Sequence, residues 1–327
     1  MRIRLEPSDE YMHPLEEAGN FNESMYFNVY DEKVDVGGWF RLGNRANEGY
    51  AEMTCCLYLP GGPVAFMYSR PHIDNNDAFD AGGMRFDVIE PFKELRVRYD
   101  GKVAVLSDPL AMRDPRKAFT EAPHVDASVD LLYRGLSPMM GGEPEWDPGD
   151  VVPETMAFAK GHYEQHVGAR GRIACGADAW EIDGYGLRDH SWGPRSWQAP
   201  YWYRWLTCNA GPSDGFMVSI IASRDGKVRR SGVVFENGGY TPIVDASLET
   251  EWTEGFDQEE LRCVARTPDR EIEIRGTVRS FIPLRNRREG KVTRIGEGLT
   301  RYEWEGKTGY GLSEYLDQIE DGRPVGL

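Results

Sequence analysis

The chain is poor in cysteine and has no long apolar run. Five of its 327 residues are cysteine, and an odd number without a C-x-x-C pair fits neither a disulfide framework nor a zinc site. We therefore expect reduced, buried thiols. No segment approaches the ~20 apolar residues that span a bilayer. The N-terminal residues lack the apolar run of a signal peptide, so we expect a cytoplasmic protein.

Positive charge is also scarce. Lys and Arg number 38 against 54 Asp and Glu, which gives a net charge of −16. Nucleic acids and anionic membrane surfaces need clustered Lys and Arg, so we expect neither as a partner. The acidic residues are scattered and favour solubility. With 40% hydrophobic residues, the chain is globular and long enough for two domains with ample cores.

Helical periodicity is weak, whereas strand signals recur along the whole chain. Runs of Val, Ile, Tyr, Phe and Trp alternate with Gly, Pro, Asn and Asp. The clearest hairpin runs from Phe216 to Phe235 around Asp225-Gly226. Short helices are predicted only at Leu110–Phe119, where Pro115 interrupts the pattern, and at Ser313–Ile319. Many short strands predict sandwiches or barrels.

The most distinctive segment is residues 184–195, GYGLRDHSWGPR. It places an acid, an imidazole, two guanidiniums and an indole between glycines, and five of the nine Trp lie between Trp180 and Trp205. Ionisable groups within dense aromatic surface are typical of a buried site for an apolar ligand. The candidate binding residues are Arg188, Trp192, Arg195, Trp197, Trp202, Tyr203 and Trp205.

Asp189 is the candidate general acid of this segment. In an extended chain, Asp189 and Ser191 point to one face and His190 to the other, so these three cannot form a nucleophilic triad. Aromatic burial favours a protonated carboxyl group and a nearby arginine an ionised one. The residue types equally allow a structural turn in which Asp189 caps a loop and Trp192 fills the core.

The segment from His162 to His166 places three polar side chains on one face if it is a strand. Two histidines and one carboxylate can bind a divalent metal, but His162, Glu164 and His166 on one strand stand ~7 Å apart and converge poorly. A cavity face with His162 and Glu164 as a proton-handling pair is the functional alternative. A plain exposed polar strand is the structural one.

Two further segments bear on the function. Glu23 lies among aromatic residues and is either a buried carboxylate that lines a cavity or a surface acid. The glycines near the C-terminus, from Tyr302 to Tyr315, lack the strand-to-helix context of a phosphate loop, so we expect no nucleotide. No cofactor motif is present, and we expect no cofactor.

The segment Gly184–Trp192, with the aromatic run Trp202–Trp205 and the Asp-Gly hairpin after it, resembles the carotenoid-hydratase and AttH-like lipocalin family. This family includes hydroxyneurosporene synthases, kievitone hydratases, and relatives that act as terpenoid cyclases and Diels-Alderases. Its D-H-E-W-G motif is matched at Asp189, His190, Trp192 and Gly193. Ser191 stands where the family usually has Glu, and an uncharacterised bacterial subfamily is more similar than the carotenoid enzymes.

The resemblance implies an all-β chain of two lipocalin-like antiparallel barrel or sandwich domains. It places the domain boundary just after the motif, which gives residues 1–195 and 196–327. Composition alone would place the boundary in the Gly-, Pro- and acid-rich stretch Gly141–Pro153. We follow the resemblance.

The resemblance also implies non-redox hydration, dehydration or cyclisation of a hydrophobic metabolite such as a terpenoid, a steroid-like or an aromatic compound. Asp189 would donate the proton, with His190 and Arg188 orienting it, while His162 and Glu164 hold or deprotonate water. If the Glu of the family's motif transfers protons, that role is either absent in this chain, where Ser191 occupies the position, or belongs to Glu164. The alternatives are a non-catalytic binder of a hydrophobic ligand and a metal-dependent enzyme built on His162, Glu164 and His166.

Overall fold

The computed structural model describes residues 2–147, 159–288 and 290–327 and confirms the all-β prediction. The chain divides into two compact units, each built on one large antiparallel sheet. Unit 1 comprises Met1–Leu106 and Ala122–Ser196, and unit 2 comprises Ser107–Glu121 and Trp197–Leu327. Unit 2 thus includes residues 107–121, which the sequence analysis placed in the N-terminal domain.

Unit 1 contains a closed ring of eight strands, because each neighbour in the order β8-β9-β11-β12-β2-β3-β4-β5 is hydrogen-bonded to the next and β5 pairs with β8. Its strands are β1 (Arg2–Arg4), β2 (Phe21–Asp31), β3 (Val36–Arg45), β4 (Tyr50–Tyr58), β5 (Val64–Ser69), β6 (Phe79–Ala81), β7 (Met84–Glu90), β8 (Glu94–Leu106), β9 (His124–Gly135), β10 (Met140–Glu145), β11 (Gly161–Cys175) and β12 (Asp178–Pro194). Full closure leaves no free edge in the ring.

Unit 2 contains an antiparallel sheet in the order β16-β15-β14-β13-β21-β20-β19-β18-β17, with β22 paired to β21. Its strands are β13 (Trp202–Asn209), β14 (Asp214–Ala222), β15 (Val228–Glu236), β16 (Gly239–Ile243), β17 (Asp245–Trp252), β18 (Gln258–Arg266), β19 (Glu271–Arg288), β20 (Lys291–Trp304), β21 (Lys307–Glu320) and β22 (Arg323–Pro324). The predicted Asp225-Gly226 hairpin joins β14 to β15, and Gly226 adopts the positive φ of 83° that such a turn requires.

One of the two predicted helices is present in the structure. An α-helix, α1, spans Pro115–Glu121 and follows a 3-10 turn at Pro109–Arg113. Pro115 therefore starts this helix, where its missing N–H costs nothing, instead of interrupting it. The predicted helix at Ser313–Ile319 is wrong: these residues belong to β21, which pairs with strands on both sides. Two more 3-10 turns occur at Pro7–Glu10 and Ala46–Glu48.

Three smaller expectations can also be compared with the structure. All five cysteines are buried and form no disulfide. Of the predicted linker Gly141–Pro153, the first part belongs to β10, and residues 148–153 lie outside the described residues. Within the described ranges no helix has the length and apolar character to cross a membrane.

The position of β12 between β11 and β2 organises unit 1. Met25, Phe27 and Val167 belong to a large apolar cluster, and Met25 lies directly opposite His190 in the register. We call the side of these three strands that carries Met25 the core face and the opposite side the outer face. Almost every residue of β2 is buried, so both of its faces are covered.

Gly161, the first residue of β11, leaves space for a buried indole on the core face. A Cβ at this position would lie 2.1 Å from Cζ2 of Trp192, whereas a Cβ at Gly168 of the same strand would meet no atom closer than 3.7 Å. We expect Gly161→Ala to lower the free energy of unfolding by about 1–3 kcal/mol through overpacking. Gly168→Ala is the matched control and should leave stability unchanged or slightly higher. Urea unfolding measures both, and equal stabilities would contradict the packing assignment.

Candidate active site

Side chains alternate along β12, so the central motif is divided between two faces of the sheet. Arg188, His190 and Trp192 point to the core face and Asp189 and Ser191 to the outer face, as the alternation of an extended strand predicts. The contacts of each set confirm this division. The two faces therefore hold two different polar clusters.

Glu23 of β2 is the centre of the cluster on the core face. Its Oε1 lies 2.6 Å from Nε2 of His190 and 2.8 Å from Nδ1 of His13. Its Oε2 accepts hydrogen bonds from the backbone N–H of His13 at 3.0 Å and from Nδ2 of Asn76 at 3.3 Å. Burial raises the pKa of the Glu23 carboxyl, but the hydrogen bonds from both histidines outweigh burial and lower it to about 2.

Arg188 carries a second, connected part of this cluster. The guanidinium is fully buried and donates two hydrogen bonds to Glu10, Nη1 to Oε1 at 2.6 Å and Nη2 to Oε2 at 2.8 Å. Its Nε donates to Oε1 of Gln165 at 2.9 Å. Burial raises the pKa of Glu10, but the charge and hydrogen bonds of Arg188 outweigh it and hold this pKa below its ordinary value.

Tyr163 joins the two parts. Its hydroxyl donates to Oε1 of Glu10 at 2.6 Å and lies 3.1 Å from Nδ1 of His190. Burial raises the pKa of Tyr163 well above its usual range, and the nearby Glu10 charge adds to this effect. The result is a continuous chain of hydrogen bonds from Arg188 through Glu10, Tyr163 and His190 to Glu23.

Aromatic rings enclose the histidines of this cluster. The ring of His13 stacks on Trp192 with a centroid separation of 4.0 Å and an interplanar angle of 12°. His190 makes edge contacts with Trp192, Tyr163 and Phe79, with centroids 5.5–5.7 Å apart. Both Glu23 and His190 have 0% exposure. Of these described residues, His13 is the most exposed, with a side chain that is 16% exposed.

The outer face holds the second cluster. Asp189 lies directly opposite Glu164 of β11 and opposite Tyr26 of β2. Glu164 is buried and Asp189 half-buried, and Nε2 of the exposed His162 lies 3.7 Å from Oε1 of Glu164. This register brings together two carboxyl groups that the sequence separates by 25 positions.

Ser191, which replaces the Glu of the motif, also lies on the outer face. Its hydroxyl is 3.0 Å from the hydroxyl of Ser24 and accepts a hydrogen bond from Nη1 of Arg195 at 2.7 Å. Arg195 thus interacts with the serine at this position. A longer acidic side chain at position 191 would point to the same face as Asp189.

The structure divides the predicted site residues into three groups. Glu23, Arg188, His190 and Trp192 lie together on the core face of unit 1. The outer face of the same unit carries Asp189, Glu164, His162 and Arg195. The remaining four residues belong to unit 2: Trp197, Trp202, Tyr203 and Trp205.

One expected interaction is corrected by this division. His190 and Arg188 were expected to orient Asp189, but their side chains bind Glu23 and Glu10 on the core face. The reason is the two-residue period of the strand, which directs neighbours in sequence to opposite sides of the sheet. The partners of Asp189 come from the adjacent strands.

Two aromatic residues of β13, Tyr203 and Trp205, lie beside a pair of acidic residues in unit 2, Glu314 and Glu297. The hydroxyl of Tyr203 donates to Oε1 of Glu314, and Trp205 lies opposite Glu314 in the register. Glu314 in turn lies opposite Glu297. Burial, and the neighbouring charge of Glu314, raise the pKa of Glu297 well above its usual range. Trp202 instead packs against the guanidinium of Arg204 at 5.1 Å.

Sequence reasoning missed five members of the core-face cluster: Glu10, His13, Asn76, Tyr163 and Gln165. Glu10 and His13 precede β2 in a segment without strand periodicity, so no pattern linked them to the motif. Tyr163 lies between His162 and Glu164 in the sequence, yet its position on the opposite face of β11 places it beside His190. The combination of acid and histidine in residues 9–13 was the one available signal.

We expect Glu10→Gln to destabilise the fold strongly, because it leaves the buried charge of Arg188 without a counter-ion. Breaking a buried ion pair on one side costs about 3–5 kcal/mol. The control is Asp183→Asn, which breaks the exposed pair between Asp183 of β12 and Arg170 of β11 and should have little effect. Chemical unfolding of both variants at neutral pH measures the difference, and similar losses would contradict the assignment.

The same pair predicts an acid-dependent loss of stability. The pKa of folded Glu10 is below its ordinary value of 4.5, so its contribution is complete above that pH and is lost as the pH falls through the folded pKa. The stability gap between wild type and Glu10→Gln should therefore narrow as the pH falls below about 4.5. A gap that stays constant over this range in urea titrations would show that Glu10 is not the titrating group.

Comparison with known proteins identifies the fold. Residues 6–319 match the family described as Domain of unknown function (DUF7064), and no curated protein matches the chain. The AttH-like protein NE1406 from Nitrosomonas europaea is 13% identical, with a TM-score of 0.60 over 93% of this chain and 96% of its own.

Two further solved structures have the same fold. CghA is 11% identical, with a TM-score of 0.58 over 96% of this chain and 95% of its own. Kievitone hydratase from Nectria haematococca is 10% identical, with a TM-score of 0.60 over 96% of this chain and 93% of its own. The chain belongs to the DUF7064 family and has the AttH-like, two-domain lipocalin-like fold.

Proposed function

We propose that the protein is a non-redox enzyme that hydrates, dehydrates or cyclises a hydrophobic small molecule. Asp189 and Glu164 are its acid–base pair. The observation that carries this proposal is their position directly opposite each other on β12 and β11, on the same face of the sheet.

The strand register brings the two carboxyl groups close to each other. Side chains directly opposite in an antiparallel pair have Cβ atoms ~4.5–5.5 Å apart, and two ionised carboxylates at this distance repel each other. The repulsion is relieved when the pair retains one proton. One carboxylic acid beside one carboxylate is what a reaction that both gives and takes a proton requires.

The difference in exposure between Asp189 and Glu164 supports a separate role for each. Asp189 is half-buried and Glu164 is buried, so Asp189 is the carboxyl group that meets a substrate and donates the proton. Glu164, with His162 3.7 Å away, accepts a proton from water. In hydration, the Asp189 proton adds to an alkene carbon, water adds to the resulting cation, and Glu164 takes the proton that this water releases.

The reverse and ring-closing reactions use the same groups. In dehydration, Asp189 protonates a hydroxyl group that leaves as water, and Glu164 removes a proton from the adjacent carbon. In cyclisation, a second alkene attacks the cation before a proton is lost. Protonating an isolated alkene demands a strong acid, so an activated alkene or a tertiary alcohol suits a carboxyl group better.

Aromatic rings on the outer face are suited to stabilise the cation. Tyr26 lies opposite Asp189, and its ring is 6.1 Å from that of Trp39 at an interplanar angle of 28°. Each ring that faces a cation contributes roughly 0.5–2 kcal/mol. The aromatic residues expected from the sequence to face the cation were Trp192, Trp202, Tyr203 and Trp205, but Trp192 lies on the core face, where it stacks on His13.

The structural neighbours support the class of reaction. The name of kievitone hydratase denotes a hydration reaction, and CghA has been crystallised with Sch210972. The serine at position 191 fits the same scheme, since Arg195 and Ser24 engage its hydroxyl. In this proposal, Asp189 and Glu164 are therefore the general acid and the general base.

We expect Asp189→Asn to lower turnover by about 10²–10⁴-fold, the usual contribution of a general acid. The protein would be incubated with a hydrophobic metabolite extract from its source, and mass spectrometry would follow gain or loss of water and new isomers. Asp183→Asn, an exposed position on the same strand and face, is the matched control. Full turnover by Asp189→Asn would refute the acid assignment. A ligand retained without conversion by the wild type would instead identify a non-catalytic binder.

A further inference from the structure

We propose that His13, Glu23 and His190 form a binding site for a divalent transition-metal ion. Their ligand atoms all lie within 4.8 Å of one another. The three residues come from separate parts of unit 1: the segment before β2, β2 itself and β12. Two imidazoles and one carboxylate are a donor set that suits Zn²⁺, Fe²⁺ and Co²⁺.

The hydrogen bonds around Tyr163 decide which nitrogen of His190 carries a proton. Arg188 donates to both oxygens of Glu10, so Glu10 is a carboxylate and only accepts. The single hydroxyl proton of Tyr163 is directed to this carboxylate, 2.6 Å away. Nδ1 of His190, at 3.1 Å from the same hydroxyl, must then be the donor of that contact.

This tautomer leaves a lone pair on Nε2 of a neutral His190. Nε2 points at Oε1 of Glu23 from 2.6 Å, so this nitrogen and the carboxylate oxygen are directed at one point in a place that is closed to solvent. A metal ion bound between them would use both atoms as ligands. A metal-bound histidine typically donates its other N–H to a fixed acceptor, as Nδ1 does here to Tyr163.

His13 supplies the third ligand from the segment before β2. Its Nδ1 lies 2.8 Å from the same Oε1 of Glu23, and its ring stacks on Trp192. With bonds of about 2.0 Å in a tetrahedral site, ligand atoms around one zinc ion stand about 3.3 Å apart, so both contacts to Oε1 of Glu23 must lengthen on binding. Changes in the side-chain torsions of Glu23, His13 and His190 supply this adjustment.

The inference is independent of the proposed reaction and departs from the expectation that the protein has no cofactor. The trio lies on the core face, whereas Asp189 and Glu164 lie on the outer face of the same sheet. It also differs from the trio considered in the sequence, His162, Glu164 and His166, which is spread along one strand. In the described part of the chain, His13, Glu23 and His190 are the residues that converge.

The test measures binding of Zn²⁺ and Co²⁺ to the full-length protein. Competition with a chromophoric chelator gives affinity and stoichiometry, and the visible spectrum of bound Co²⁺ reports its ligands. We expect one equivalent per chain. His13→Ala and Glu23→Gln should weaken binding by more than about 100-fold, and Tyr163→Phe by about 10–100-fold, the usual cost of losing an outer-shell partner.

His72→Ala is the matched control, since His72 pairs with Asp74 at the surface and should not affect binding. Circular dichroism confirms folding of each variant, and His13→Ala carries the test if Glu23→Gln does not fold. Absence of stoichiometric binding by the folded wild type would overturn the proposal and leave the His190–Glu23 contact as a hydrogen bond. Binding that survives His13→Ala but is lost in His72→Ala would overturn it in favour of a surface site.

Discussion

The burial of Arg188 is the constraint on which the organisation of unit 1 depends. A guanidinium with no exposure needs a counter-ion and partners for its N–H groups, or its burial costs several kcal/mol. Glu10 and Gln165 meet this need. Because Glu10 lies outside the barrel strands, its ion pair fixes the N-terminal segment against the core face. His13 follows three residues later and is placed beside Glu23 as a consequence.

The same constraint determines the orientation of His190. Glu10 is held as a carboxylate by Arg188 and takes the proton of Tyr163, which in turn fixes the tautomer of His190. The other ring nitrogen of His190, Nε2, then contacts Oε1 of Glu23. A buried charge at one end of this chain of contacts thus decides which ring nitrogen of His190 donates to Tyr163. Since every member is buried or packed against an aromatic ring, few alternative arrangements exist.

The sequence predicts the architecture well because strand alternation and turn residues are local signals. The Asp225-Gly226 hairpin is an example. Ser313–Ile319 was predicted as a helix because a short apolar repeat does not distinguish the two periods, and its pairing with β13 and β20 is a tertiary effect. For the site, the sequence identified the motif and placed Asp189 and His190 on opposite faces. It did not identify Glu10 and His13, which contact Arg188 and Trp192, residues more than 170 positions away.

Alternation on β12 also allows one short motif to serve two purposes. The residues at 188, 190 and 192 face a closed interior, where losing a hydrogen-bond partner is costly and where a substitution acts first on stability. Asp189 faces the other way, beside Glu164, and makes no contribution to the chain of bonds that holds Arg188 and His190. Chemistry on the outer face can therefore change without loss of the fold, provided that the core-face residues are kept. A serine in place of glutamate at position 191 is such a change: it alters the outer face, is accommodated by Arg195, and leaves His190 and Trp192 in their places.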